Sequence, residues 1–117
     1  MKNFSQSILV LFILVITSCA SLTSNTIIEP NNSFILGNNE HGNFTVKLRN
    51  VSRNNLEVFH APINGGKHSS QIVKPNEQVT VKVAKNTALF IKNESPEQAS
   101  VNLYVTGDTG LSMGYKN

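Results

Sequence analysis

The sequence predicts an all-β fold: one antiparallel β-sandwich, immunoglobulin-like or similar, of about seven to eight strands behind an N-terminal signal helix. Three observations predict it. Stretches of apolar/polar alternation recur at spacings of roughly 8–14 residues. Turn-forming residues separate them, and beyond the first nineteen residues no stretch carries a helical period.

In chain order, Thr26-Ile27-Ile28 and Ser33-Phe34-Ile35-Leu36 are short apolar pieces split by Glu29-Pro30-Asn31-Asn32. They read as one strand broken at Pro30, because proline has no N–H to give to a ladder. Residues 43–50 alternate, with Phe44, Val46 and Leu48 against Thr45, Lys47 and Arg49. The next strand is expected over Leu56 to Ala61, with Leu56, Val58 and His60 on one face and Glu57 and Phe59 on the other. Pro62 to Ser70 is a loop around Asn64-Gly65-Gly66, and Gln71-Ile72-Val73 is a short strand. Lys74-Pro75-Asn76-Glu77 has the residues of a type I turn. Val79, Val81 and Val83 define the following strand, and the continuous apolar stretch Ala88 to Ile91 suits a central one. Val101, Leu103 and Val105 point inward from the next, leaving Asn102 and Tyr104 outside. Gly107 to Gly110 then turns into a last strand from Leu111 to Tyr115.

The first nineteen residues are of another kind. Lys2 gives a positive start, Ile8 to Ile16 is an unbroken apolar run, and Thr17-Ser18 are small residues before the single cysteine, Cys19. That is the layout of a secretory signal. As a helix the run rises only about 13.5 Å, under half of a hydrocarbon core of ~30 Å, so a permanent span is disfavoured.

Ile16-Thr17-Ser18-Cys19 resembles the lipobox of bacterial lipoproteins, with isoleucine where leucine is usual. The resemblance covers about the first twenty residues. It implies cleavage between Ser18 and Cys19 and lipid on the Cys19 thiol. Two or three acyl chains, at about 0.8 kcal/mol per buried CH₂, make a stable anchor. Ala20 after the cysteine implies passage to an outer membrane, with the domain facing the periplasm of the cell envelope. The expected division is a signal peptide over 1–18, a lipidated N-terminus and tether over 19–26, and the β domain over 27–117.

Composition narrows the partners. Removal of the signal takes Lys2 away and leaves nine Lys/Arg against seven Asp/Glu, a net charge of only about +2. The cations are dispersed, so nucleic acid is not expected as a partner. With Cys19 lipidated no disulfide can form, and packing must hold the domain together. Asparagine occurs sixteen times, mostly at turn-like positions. Beyond the first nineteen residues four Asn-x-Ser/Thr triplets start at Asn31, Asn43, Asn50 and Asn93, with little reason to expect glycans on a bacterial lipoprotein.

No motif carries catalytic chemistry. Asp108-Thr109-Gly110 has the letters of an aspartic-protease triplet, but Gly107 precedes it and only seven residues follow, so it reads as hairpin chemistry. His41, His60 and His68 lack metal-ligand spacing, and no cofactor or metal is expected. A hydrolase built on His60, His68 and Asp108 would need those residues in one cleft. Phe59, Phe90 and Tyr104 fall on outward phases. Phe59 and Tyr104 are candidate contact residues for a glycan or an envelope protein, against the alternative that such aromatics pack across strands. The expectation is a lipid-anchored, non-catalytic binding or structural module. Its alternatives are a carbohydrate- or peptidoglycan-contacting domain and an accessory subunit or inhibitor acting by strand addition.

Overall fold

In the computed structural model, which describes residues 20–116, nine strands form two antiparallel sheets. The expected signal peptide over 1–18 and Cys19 lie outside the described residues. The strands are β1 (Ser21–Ile28), β2 (Asn32–Leu36), β3 (Phe44–Asn50), β4 (Leu56–Pro62), β5 (His68–Val73), β6 (Gln78–Val83), β7 (Thr87–Asn93), β8 (Ala99–Gly107) and β9 (Met113–Lys116). The four-stranded sheet has the order β1-β8-β3-β6, and the five-stranded sheet β5-β4-β7-β2-β9. The all-β sandwich expected from the alternation is the observed architecture.

The winding differs from an immunoglobulin domain, whose sheets group as A-B-E-D and C-F-G. Here the first eight strands order as 1-8-3-6 and 5-4-7-2, the arrangement of a jelly roll, with β9 added outside β2. Only β4 and β5 are neighbours joined as a hairpin; every other connection carries the chain from one sheet to the other. Expected hairpins therefore become arches. β1 and β2 are two strands in opposite sheets, not one strand broken at Pro30. The segment 107–112 likewise crosses from β8 to the short β9, which starts at Met113 and not at Leu111.

The crossings are built from asparagine. Asn31 (φ 58°) and Asn76 (φ 67°) follow prolines in turns closed by Asn32 N–H to Glu29 O (3.2 Å) and Glu77 N–H to Lys74 O (3.0 Å). A positive φ at the third position makes both turns type II, so the turn at 74–77 is not the type I expected. Asn50 and Asn93 are fully buried and anchor two matching arches. Asn50 Nδ2 donates to Asn54 O (2.8 Å) and Val73 O (3.0 Å), while its Oδ1 accepts from Ser52 N–H and Oγ. Asn93 Nδ2 reaches Ile28 O, Glu29 O and Glu97 O, and its Oδ1 accepts from Ser95 N–H and Oγ. These are two of the four Asn-x-Ser/Thr triplets. Their side-chain amides are committed to the fold, which removes them as glycan acceptors.

β1 corrects the expected tether. Ser21 to Ile28 pairs in full with β8, from Ser21 opposite Thr106 to Ile28 opposite Ala99. The domain thus begins at residue 21, not 27. Between the sheets lies a core that includes Val46, Leu48 and Leu103 from one side and Val58, Leu89 and Ile91 from the other. Burying each such side chain stabilises the fold by about 1.5–3 kcal/mol. β7 is the middle strand of its sheet, as its continuous apolar run implies. Tyr115 closes one flank: its ring meets Phe34 edge-on at 5.5 Å and its hydroxyl donates to Ile27 O of the opposite sheet at 2.8 Å. Among the described residues no buried side-chain nitrogen or oxygen lacks a partner.

Candidate binding face

Alternation along β8, β3 and β6 sends apolar residues inward and polar ones outward, and the strand register aligns their outward residues with those of β1 in rows. One row is Ser21, Thr106, Thr45 and Lys82; the next is Thr23, Tyr104, Lys47 and Thr80. A third is Asn25, Asn102, Arg49 and Gln78. Rows lie about 7 Å apart, and strands about 4.8 Å. The face therefore carries three cations and an aromatic ring among hydroxyls and amides, and no carboxylate.

Tyr104 sits in the middle row and is 42% exposed. Lys47 Nζ lies 6.0 Å from its ring centroid, at the outer limit of a cation–π contact. A shallow depression of about 310 Å³ runs across Thr23, Asn25, Lys47, Arg49, Asn102 and Tyr104. Among the described residues, the two ion pairs are Lys67–Glu57 (2.8 Å) and Lys92–Glu94 (3.1 Å). Neither involves Lys47, Arg49 or Lys82, so the charge of this face is not neutralised from within. Two other depressions, of about 360 and 460 Å³, lie over connecting segments, carry no aromatic ring and each include a carboxylate, Glu40 or Glu97.

The second candidate aromatic behaves otherwise. Phe59 stacks on its cross-strand neighbour Phe90, with centroids 4.8 Å apart and planes 17° from parallel. Lys67 Nζ lies 4.6 Å from the Phe59 centroid while also pairing with Glu57. Ring faces are what a sugar stacks on, and those of Phe59 are engaged by Phe90 and Lys67. The cross-strand alternative describes Phe59, whereas Tyr104 is exposed.

Among the described residues Asp108 is not joined to the two strand histidines. His60 and His68 face each other across β4 and β5, and burial together with the neighbouring His68 holds His60 below its ordinary value of 6.5. Asp108 belongs to the β8–β9 crossing. Its Oδ2 accepts from Gly42 N–H (2.6 Å) and its Oδ1 from Gly110 N–H (2.8 Å), which lowers its pKa from 3.8. Among the described residues no hydrogen bond or ion pair joins Asp108 to His60 or His68, so the structure does not assemble the hydrolase constellation. His41 is structural, its ring nitrogens lying 2.6 Å from Gly42 O and 2.8 Å from Thr87 O. Among the described residues no group of three or more His, Cys, Asp or Glu is placed to hold a metal ion. No helix among them is long and apolar enough to cross a membrane.

Strand addition would need an open edge. The five-stranded sheet ends on β5, most of which is exposed. Its pairing shifts between Val58 and His60, where Ser69 takes a left-handed φ of 55°. Such a bulge twists an edge and blunts further pairing.

Neither a family profile nor a curated protein matches the chain. Solved structures do share its fold. The capsular polysaccharide assembling protein CapF from Staphylococcus aureus aligns with a TM-score of 0.56 at 18% identity over 73% of this chain. The chain spans only 24% of CapF. PirA aligns with a TM-score of 0.52 at 16% identity, over 71% of this chain and 92% of its own. At these identities the likeness is one of fold, and a shared fold does not carry function.

Proposed function

We propose that this protein is a lipid-anchored envelope lipoprotein whose β domain is a non-catalytic, glycan-contacting module. The observation that carries the binding half is the outer face of the four-stranded sheet: an exposed Tyr104 flanked by amides and hydroxyls, with no carboxylate among its three rows. Amides and hydroxyls are the donors and acceptors that polyhydroxylated ligands require, and an exposed ring supplies an apolar platform for the C–H faces of a sugar. The anchor half rests on the lipobox-like Ile16-Thr17-Ser18-Cys19. In this reading the lipid on Cys19 fixes the protein to the outer membrane, facing the periplasm, where envelope glycans are at hand.

Two measurements test the halves separately. Growth with a fatty-acid analogue labels the wild-type chain and leaves Cys19→Ala unlabelled; equal labelling of both removes the anchor. Tyr104→Ala keeps its melting temperature but loses retention on cell-wall material. Retention of Tyr104→Ala at the wild-type level removes the contact face.

A further inference from the structure

Resting on the glycan reading above, we infer that the face selects an acidic glycan, one whose sugars bear carboxylates, held by Lys47 and Arg49 beside Tyr104. The register places these groups in adjacent rows. Tyr104 and Lys47 are directly paired, as are Asn102 and Arg49, two residues further along the same two strands. Arg49 and Tyr104 are therefore diagonal neighbours with backbones about 7–8 Å apart, a spacing that adjoining units of one oligosaccharide can bridge.

The chemistry of the Arg49 row is that of oxyanion capture. A guanidinium presents a planar fork of N–H donors that matches a carboxylate in two parallel bonds. Asn102 lies opposite Arg49 on one side and Gln78 on the other, with Asn25 beyond Asn102. These amides supply further donors and acceptors for ring hydroxyls. All seven acidic residues of the chain lie off the three rows, so a ligand carboxylate meets no like charge on the surface it occupies. Lys82 at the end of the first row extends the cationic character toward β6.

On the other face of the sandwich the lysines nearest the aromatic pair are held differently, while Lys116 on the edge strand β9 has no ion pair among the described residues. There, Lys67 and Lys92 each have a carboxylate partner. A neutral-sugar site would have no use for two unpaired cations beside its aromatic ring. A surface made only to attract polyanions would not need the ring or its amides.

The test uses the full-length chain in detergent, titrated calorimetrically with polygalacturonate oligomers and with the same oligomers as methyl esters, which keep the sugar and remove the charge. Wild type is expected to prefer the free acid by about tenfold or more. Arg49→Gln and Lys47→Gln should lose that preference while retaining the weak binding of the ester, and Tyr104→Ala should weaken both. Lys67→Gln, on the opposite face, should bind as wild type. Equal binding of acid and ester, unaffected by Arg49→Gln, overturns the acidic selectivity and leaves the glycan reading standing. No binding of either oligomer overturns both. Binding of polyphosphate or anionic phospholipid vesicles as tightly as polygalacturonate, with Tyr104→Ala unchanged, would reduce the face to a bare charge patch and overturn the inference as well.

Discussion

The two outer faces of the sandwich use the same residue types to opposite ends. On the five-stranded sheet an aromatic pair is stacked ring to ring and each lysine beside it is neutralised by a glutamate. On the four-stranded sheet the aromatic ring stands alone and the cations face solvent. On the first face the ring and its nearest lysines are engaged within the fold; on the second they are not. Exposed aromatics and unpaired charges contribute little to stability, and the proposal above places the ligand on the face that carries them.

That contrast can be broken in order of expected effect. The largest loss should come from Asn93→Ala, which removes a fully buried amide bonded to three carbonyls and leaves the Ser95 N–H without its acceptor. Urea unfolding should register a cost of about 2–4 kcal/mol, felt on both faces because the arch joins the sheets. Next comes Phe59→Ala, for which about 1–2 kcal/mol is expected from a half-buried ring and its stacking partner. Tyr104→Ala should stay within about 0.5 kcal/mol of wild type, as exposed substitutions do. Equal losses for Phe59→Ala and Tyr104→Ala would erase the distinction between the faces.

Acid supplies a finer probe of the five-stranded sheet. The His60 pKa is held down by burial and by His68, so the unfolded chain takes up its proton first as pH falls below 6.5. Folding stability therefore decreases on acidification through that region. Glu57, lowered from 4.5 by Lys67 and Ser70, and Asp108, lowered from 3.8 by the Gly42 and Gly110 amides, add losses only at lower pH. His60→Gln should flatten the decline between about pH 7 and pH 5 and leave the steeper fall below about pH 4.5 intact. Melting temperatures across that range check it; an unchanged slope would remove His60 from the account.

Much of the fold was legible in the alternation, and the reason is local. Val46 and Leu48, or Leu103 and Val105, declare a strand and its inner face without reference to any neighbour. β1 escaped because its inward positions Ser24 and Thr26 are polar and satisfy one another, Oγ to Oγ1 at 2.8 Å. With Leu22 as their only apolar companion before Ile28, they read as a tether. The jelly-roll winding was not legible either, since Pro-Asn type II turns and buried-asparagine arches have the same letters as hairpin turns. The same limit governs the site. The phase of β8 put Tyr104 outside, but only the register of three pairings sets Lys47 and Arg49 beside it. Likewise, nothing local told Phe59 that Phe90 would lie next to it.

The early start of β1 also bears on mechanics. With its ladder beginning at Ser21, a lipid on Cys19 would be joined to the sheet through Ala20 alone. Pulling along the strand would load the β1–β8 hydrogen bonds in shear, several at once, instead of peeling them one by one. The domain would then stand close to the bilayer, its distance from the membrane limited by two residues of chain.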